Sequence, residues 1–81
     1  MKAIPTEKFT SQLEKLPLQV QRKFVKQVGF LIANMHHPSL RAKKYDEQGD
    51  LWQARVDGSM RFYFKIVSDK YILTEIKKHP K

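Results

Sequence analysis

One stretch of the chain decides the fold: Leu51-Trp-Gln-Ala-Arg-Val-Asp-Gly-Ser-Met-Arg-Phe-Tyr-Phe-Lys-Ile-Val67. It contains two runs rich in aromatic and β-branched residues, separated by the turn-forming residues 57–59. Apolar and polar residues alternate along both runs with the period of two that is typical of a half-buried strand. The stretch therefore predicts a β-hairpin with one apolar face and one polar face.

The alternation also predicts the length of the turn. Residues that face each other across a hairpin lie on the same side of the sheet, and a shift by one residue turns a whole strand over. A two-residue turn would pair Ala54 with Arg61 and place the arginine on the apolar face. A three-residue loop, 57–59, keeps the two faces consistent. It predicts these pairs: Val56 with Met60, Ala54 with Phe62 and Trp52 with Phe64.

This register places two arginines, Arg55 and Arg61, opposite each other on the polar face. Like charges that face each other in a sheet cost on the order of 0.2–1 kcal/mol. Two interpretations follow from the residues alone. Either an anion binds between the guanidinium groups, or the two side chains point apart into water.

Composition narrows the class of protein and of partner. The chain has 81 residues, which predicts one domain over 1–81 with a small core. Its net charge of +8, from 16 Lys and Arg against 8 Asp and Glu, indicates a polyanionic partner. It has no Cys, so a disulfide framework and a thiolate metal site are excluded. No apolar run is long enough for a membrane span, and we expect a soluble cytoplasmic protein with no membrane partner.

Before the hairpin, the sequence predicts a short strand and two helices. Lys2–Ile4 is a candidate strand that ends at Pro5, and Thr6 is a candidate N-cap. The first helix ends at Leu16 because Pro17 disfavours the helical conformation in the residue before it. The second helix is predicted from about Leu18 to about Met35, because apolar residues recur at spacings of three and four. These residues are Val20, Phe24, Val28, Leu31, Ile32 and Met35.

The rest of the second helix and the segment after it are polar. The other helix face carries Gln21, Arg22, Lys23, Lys26 and Gln27, and we interpret it as solvated in preference to a dedicated RNA contact. His36 and His37 point about 100° apart on a helix, which is not metal-ligand spacing, so no metal site is expected. Residues 40–50 are predicted to be a loop anchored by Leu40 and Tyr45. Its cations, Arg41, Lys43 and Lys44, suit either a phosphate backbone or an ordinary solvated surface.

After the hairpin, residues 68–70 predict a second turn and Tyr71–Lys78 a last strand. A three-residue loop pairs Ile66 with Ile72, Phe64 with Thr74 and Phe62 with Ile76. On the polar face it places Tyr63 opposite Glu75 and Lys77 opposite Arg61, and brings His79 to the end of the sheet where the arginines lie. The predicted fold class is α+β: a short N-terminal strand, a two-helix hairpin, then a three-stranded antiparallel meander packed on the helices.

Several short motifs in this order are similar to those of a known family. They are Phe9 with Leu16-Pro17-x-x-Val20, then His37-Pro38-Ser39-Leu40-Arg41, Leu51-Trp-Gln-Ala-Arg-Val, Met60-Arg-Phe-Tyr-Phe and His79-Pro80-Lys81. Together they resemble the RelE/ParE superfamily of toxins from bacterial type II toxin–antitoxin systems, nearest to its RelE-like branch. The resemblance covers nearly the whole chain and implies a RelE-like fold.

The resemblance also implies an activity. RelE-like toxins are endoribonucleases that cut mRNA on the ribosome, inhibit translation, and are held silent by a cognate antitoxin. Their implied chemistry needs no metal and no cofactor, because the 2′-OH of the RNA attacks the adjacent phosphate. Such a step requires cations against the developing charge and groups that move protons.

Site residues follow from the resemblance position by position. Arg61 matches the family arginine on the second hairpin strand and is expected to stabilise the phosphate, with Arg55 one strand earlier. His79 lies where some members carry a histidine or an arginine, and is expected to act as acid or base. The expected contacts to RNA or the ribosome are Arg41, Lys43, Lys44, Lys77 and Lys78.

The sequence departs from the family pattern at the general base. Met60 stands where the family usually has a tyrosine, Glu47 is only near the position of a glutamate base, and a C-terminal tyrosine has no counterpart. Two other interpretations stay open. One is a ParE-like inhibitor of gyrase, and the other is a non-catalytic RNA-binding sheet on which Phe62, Tyr63 and Phe64 stack bases.

Overall fold

The computed structural model describes residues 1–79, so Pro80 and Lys81 of the C-terminal motif lie outside the described residues. The elements in chain order are β1 (Lys2–Pro5), α1 (Glu7–Glu14), α2 (Leu18–Ala33), β2 (Lys43–Asp46), β3 (Leu51–Arg55), β4 (Met60–Val67) and β5 (Lys70–Lys78). The strands form one sheet in the order β1-β5-β4-β3-β2. Among the strands of residues 1–79, only β1 is parallel to its neighbour, β5. The α+β class predicted from the sequence is confirmed.

Local signals set the bounds of the helices. The side chain of Thr6 caps α1, because its Oγ1 accepts a hydrogen bond from the N–H of Phe9 at 3.2 Å. Pro17 stands immediately before α2, where its missing N–H costs nothing. α2 ends at Ala33, two residues earlier than predicted, because the backbone of Asn34 is extended.

The core lies between the helices and one face of the sheet. α1 contributes Phe9, and α2 contributes Phe24 and Leu31. The ring centroids of Phe9 and Phe24 are 5.1 Å apart, and Phe24 meets Phe62 of β4 edge-on at 5.3 Å. The other buried apolar residues of this cluster are Leu40, Ala54, Val56, Met60, Phe64, Tyr71, Leu73 and Ile76. The helices therefore do not cover the opposite, polar face of the sheet.

The first hairpin has the predicted register. Arg55 pairs with Arg61, Ala54 with Phe62 and Trp52 with Phe64. The N–H of Val56 donates to the carbonyl oxygen of Met60 at 3.0 Å, which closes the three-residue loop.

The predicted register of the second hairpin is wrong near its turn. Its loop has two residues, Ser68 and Asp69, so Ile66 pairs with Tyr71 and Phe64 with Leu73. A β-bulge at Thr74 then restores the predicted pairs of Phe62 with Ile76, Tyr63 with Glu75 and Arg61 with Lys77. The physical reason is that this arrangement buries Tyr71, Leu73 and Ile76 against the core, whereas the predicted one would have turned Thr74 inward.

The strand β2 was predicted as part of a loop. Its four residues are all exposed, so no alternation of apolar residues marks it. It is held as a strand by antiparallel pairing with β3, in which Lys43 faces Gln53 and Lys44 faces Trp52. Of the two expected anchors of this segment, Leu40 is fully buried and Tyr45 is half exposed.

Candidate functional site

A cleft of about 280 Å³ opens at the end of the polar sheet face, beside the β3–β4 loop. It is lined by Leu40, Arg41, Lys43, Gln53, Arg55, Arg61 and His79, and is termed here the arginine cleft. Four of these side chains carry a positive charge, and none of the described lining residues is acidic. A concave surface lined by charges of one sign concentrates counter-ions, so the cleft is suited to an anion.

The two arginines of the hairpin converge inside this cleft. Arg61 donates from one terminal guanidinium nitrogen to the carbonyl oxygens of Asp57, at 2.7 Å, and of Met60, at 3.0 Å. Arg55 donates from Nε to the same carbonyl oxygen of Asp57, at 3.3 Å. The side chains therefore do not point apart into water, and one backbone oxygen offsets part of their mutual repulsion. Each guanidinium has five N–H groups, so these contacts leave donors for a ligand.

The Asp57 side chain fixes the loop whose carbonyl holds both arginines. Its Oδ1 accepts hydrogen bonds from the N–H groups of Ser59, at 2.9 Å, and Met60, at 2.8 Å. Its Oδ2 lies 3.5 Å from the ammonium of Lys23. Burial by itself raises the pKa of the Asp57 carboxyl, but the two N–H donors and Lys23 outweigh it and hold that pKa below its ordinary value. The charged form of the carboxylate is therefore favoured, and it links the loop to the start of β4 and to α2.

A buried glutamine of α2 connects the end of β3, which carries Arg55, to the segment before β2, which carries Arg41. Gln27 donates from Nε2 to the carbonyl oxygens of Arg55, at 2.8 Å, and Ser39, at 3.1 Å. Its Oε1 accepts from the hydroxyl of Ser39 at 3.2 Å. The placement of Gln27 on the solvated helix face is therefore wrong. A signal was present, because Gln27 is three residues after Phe24 and four before Leu31, both of which face the core.

The cleft also receives His79 from the end of β5, and Arg41 and Lys43 from β2 and the residues just before it. The N–H of His79 donates to the carbonyl oxygen of Ser59 at 2.8 Å, which fixes the end of β5 beside the loop. Lys43 reaches the cleft from β2. Arg41 has a left-handed backbone with φ of 46°, a conformation that costs a non-glycine residue on the order of 1 kcal/mol.

Three of the predicted RNA-contacting residues lie outside the arginine cleft. Lys44 donates a hydrogen bond to the carboxylate of Asp50 at 2.9 Å, and this interaction raises the pKa of Lys44. Lys77 is bound to Glu75 at 2.9 Å, which raises the pKa of Lys77 in the same way. Lys78 points to the helix side of the sheet, because its register partner Met60 is buried in the core.

The aromatic side chains of β4 are all buried. Phe62 and Phe64 face the helices. Tyr63 faces the other way, but it is only 1% exposed because Tyr45 packs edge-on against its ring at 5.1 Å. Its hydroxyl accepts a hydrogen bond from Gln53 Nε2 at 3.1 Å. None of these rings presents an open face to a nucleic-acid base.

Two further observations concern other kinds of site. Among the described residues, no three His, Asp or Glu side chains are grouped so that they could hold a metal ion. His36 is exposed, while His37 stacks on Phe30 with ring centroids 3.8 Å apart. No helix of the described chain has the length and apolar character needed to cross a membrane.

Several solved structures share this architecture. A YoeB/ParE toxin from Agrobacterium tumefaciens superposes with a TM-score of 0.82, at 12% identity, over 99% of this chain and 100% of the other. RelE in the RelE–RelB complex of the archaeon Pyrococcus horikoshii OT3 gives 0.79, at 18% identity, over 95% and 92%. YafQ from Escherichia coli BL21(DE3) gives 0.76, at 10% identity, over 95% and 91%.

These likenesses define the class of fold. The chain has a RelE-like fold, which confirms the fold that the resemblance implied. At the level of sequence alone, no protein-family model matches the chain, and a comparison with curated proteins gives no significant match.

Proposed function

We propose that this chain is the toxin of a type II toxin–antitoxin system, and that it cuts mRNA on the ribosome. The observation that carries this proposal is the arginine cleft. On a RelE-like fold, two convergent guanidinium groups and a histidine line one concave surface without a described carboxylate. That combination fits the phosphate of an RNA strand and a proton transfer beside it.

The proposed reaction is an internal transesterification. The 2′ oxygen forms a bond to the adjacent phosphorus and gives up its proton, while the bond from phosphorus to the 5′ oxygen breaks. That oxygen leaves with a proton, so the products are a cyclic phosphate and a 5′-OH. Because the nucleophile belongs to the RNA, the reaction as proposed requires no metal or cofactor.

In this reaction the arginines act on the phosphate. Arg61 binds non-bridging oxygens of the phosphate, where a planar guanidinium matches two oxygens at once. Arg55 adds a second positive charge from the neighbouring strand. Both are held in advance by the carbonyl of Asp57, so little reorganisation is needed as charge develops in the transition state.

His79 is the proposed proton-transfer residue. Histidine is the side chain best suited to exchange a proton near neutral pH, and His79 lines the same cleft as both arginines. Its backbone is tied to Ser59, which keeps the ring beside the loop. We assign it to proton exchange with the 2′ oxygen or with the leaving 5′ oxygen.

The proposed partners are a cognate antitoxin, mRNA and the ribosome. The net charge of +8 supports polyanionic partners. The similar RelE of Pyrococcus horikoshii was solved as a complex with RelB, which supports an antitoxin for this chain as well. Arg41 and Lys43, inside the cleft, are proposed to contact RNA directly, and Lys44, Lys77 and Lys78 to contact the ribosome from outside it.

Primer extension on mRNA incubated with purified protein and ribosomes tests this function. We expect cuts that depend on ribosomes, and a loss of about 10²- to 10³-fold in cleavage rate for Arg61→Ala, because a transition-state donor is removed. Arg22→Ala, an exposed arginine of α2 outside the cleft, is the matched control. Undiminished cleavage by a folded Arg61→Ala protein would contradict the assignment.

A ParE-like inhibitor of gyrase is the second candidate, supported by the first of the three similar structures, whose name joins YoeB and ParE. It predicts that the purified protein inhibits supercoiling by gyrase and makes no cuts in mRNA. The third interpretation, a base-stacking RNA-binding sheet, is not supported, because Phe62, Tyr63 and Phe64 are at most 1% exposed.

A further inference from the structure

A second cleft, of about 470 Å³, lies on the helix side of the β3–β4 loop. It is bounded by α2, by the segment that leads into β2 and by the loop itself, and is termed here the α2 cleft. Its charged lining residues are Lys23, Lys26, Arg41, Arg55 and Asp57. Cations thus outnumber the single carboxylate by four to one.

The α2 cleft and the arginine cleft share a wall. Arg41 and Arg55 line both. The two residues are held together through the backbone, because Gln27 binds the carbonyl oxygens of Arg55 and Ser39, two residues before Arg41. The phosphate backbone of an RNA that enters one cleft can therefore continue past these two guanidinium groups into the other cleft.

The carboxylate in the α2 cleft does little to repel an anion. Both oxygens of Asp57 are engaged, one by the N–H groups of Ser59 and Met60 and the other by Lys23. Its negative charge is therefore already compensated within the protein. The cleft as a whole keeps a net positive charge, because four cations face this one carboxylate.

Lys26 is positioned for an external ligand. Its ammonium lies 5.9 Å from the centre of the Phe30 ring, and that ring is stacked on His37 at 3.8 Å. It forms no ion pair with any carboxylate of the described chain. An exposed ammonium guided along an aromatic face into a cleft is a suitable contact for a phosphate oxygen.

We propose that the α2 cleft binds a second phosphate group of the same RNA strand whose reacting phosphate lies in the arginine cleft. This inference rests on the proposed function and adds the path of the substrate. Lys26 and Lys23 contact the second phosphate, and Arg41 and Arg55 bridge the two positions. RNA that extends beyond the reacting dinucleotide should accordingly bind more tightly than the dinucleotide alone.

The test compares a dinucleotide, which has one phosphate, with a hexanucleotide, both 2′-O-methylated so that they cannot be cut. Affinity for purified protein is measured by fluorescence anisotropy at several salt concentrations. The variant is Lys23→Gln/Lys26→Gln, and the matched control is Lys15→Gln/Arg22→Gln, which removes the same charge outside both clefts. Lys26→Gln alone is a second variant that should not affect folding, because this lysine forms no ion pair within the described chain.

We expect the cleft variant to bind the hexanucleotide about fivefold more weakly at about 0.1 M salt. The slope of log affinity against log salt should fall by about 0.7, the value for one phosphate contact to a single strand. The cleft variant and the control variant should bind the dinucleotide with equal affinity. Lys26→Gln should show the same pattern at smaller size.

Three results would overturn the inference. They are an equal loss in the control variant, an equal loss for the dinucleotide, and no binding of either RNA by the wild-type protein. Ribosome-dependent cleavage is measured separately on the same preparations. If cleavage is absent but the length-dependent effect of Lys26 is present, the proposed function fails while the second phosphate position stands.

Discussion

The two turns of the meander are built in different ways. The β3–β4 loop has three residues, and its Asp57 side chain accepts hydrogen bonds from the N–H groups of Ser59, within the loop, and Met60, at the start of β4. The β4–β5 turn has two residues, Ser68 and Asp69, and both are exposed. The first turn holds Arg55 and Arg61 through a single carbonyl oxygen, whereas the second borders neither cleft. Order is thus concentrated in the turn that carries the candidate site.

The strand that follows the second turn, β5, contains a correction of its register. The short second turn sets β5 one residue out of step with the register required at the site, and the bulge at Thr74 restores it. The disrupted backbone groups find other partners. The carbonyl of Tyr63 accepts from the Thr74 hydroxyl at 3.2 Å, and the N–H of Ile76 donates to Gln12 Oε1 at 3.0 Å. A loosely specified turn is therefore compatible with a precisely placed Lys77 and His79.

The largest contrast is expected from removing the aspartate of each turn. Asp57→Ala removes the acceptor of two charge-assisted hydrogen bonds to backbone N–H groups, so the free energy of unfolding should fall by about 3 kcal/mol. Asp69→Ala removes only an exposed ion pair with Lys70 at 3.8 Å, and should change it by less than about 0.5 kcal/mol. Urea unfolding measures both. Equal effects would show that the two turns do not differ in rigidity.

The next contrast concerns the support behind the first turn. Gln27→Leu keeps the helix and the volume but leaves the carbonyl oxygens of Arg55 and Ser39 without this donor, so the free energy of unfolding should fall by about 2 kcal/mol. Gln19→Leu, at an exposed position of the same helix, is the control and should be near neutral. Urea unfolding of the two variants, followed by circular dichroism, gives the comparison.

A positioning role for Gln27 has a second readout. In the hexanucleotide binding experiment, Gln27→Leu should lose affinity while Gln19→Leu does not, because the substitution removes the side-chain link between the segments that carry Arg41 and Arg55. A destabilised Gln27→Leu protein that binds RNA as tightly as wild type would mean that the glutamine supports only the fold.

A smaller contrast is expected from pH. The pKa of Asp57 in the folded protein lies below its ordinary value of 3.8, so its charged interactions add stability at any pH above that value and are lost as the pH falls through the folded pKa. The stability advantage of wild type over Asp57→Asn should therefore be constant from neutral pH down to about pH 5 and then shrink. Unfolding curves at a series of pH values measure it, with Asp69→Asn as the matched control. An advantage that grows in acid would contradict the assigned ionisation.

The contrast between the turns also explains why the sequence predicts the register of the first hairpin but not that of the second. In the first hairpin, a single interruption at 57–59 separates two alternating runs, and a three-residue loop keeps Arg61 off the apolar face, whereas a two-residue turn does not. In the second, Tyr71, Ile72 and Leu73 are all apolar, and alternation cannot decide which of them faces inward. Pairing with neighbouring strands decides it, and that is tertiary information.

The sequence likewise predicts part of the candidate site. The parity of the first turn placed Arg55 and Arg61 together, and the length of β5 brought His79 beside them. The resemblance assigns both lysines of each adjacent pair, Lys43–Lys44 and Lys77–Lys78, to RNA or the ribosome, although neighbouring residues of a strand point to opposite faces. Lys43 lines the arginine cleft and Lys44 does not for this reason. The α2 cleft depends on how α2 packs across the loop, which no local pattern encodes.

The smallest contrast is expected from glycine at the serine of each turn. Ser68 has a left-handed backbone with φ of 56° and occupies the first position of a two-residue turn, where glycine is favoured. Ser68→Gly should therefore raise the free energy of unfolding by about 0.5 kcal/mol, the relief of strain less the entropy that glycine loses. Ser59 has no such backbone, and its hydroxyl lies 3.3 Å from Asp57 Oδ1, so Ser59→Gly should be neutral or destabilising. Thermal unfolding of the two single variants measures the difference. A stabilising effect of Ser59→Gly would contradict the comparison, because it would mean that the backbone of the first loop is strained as well.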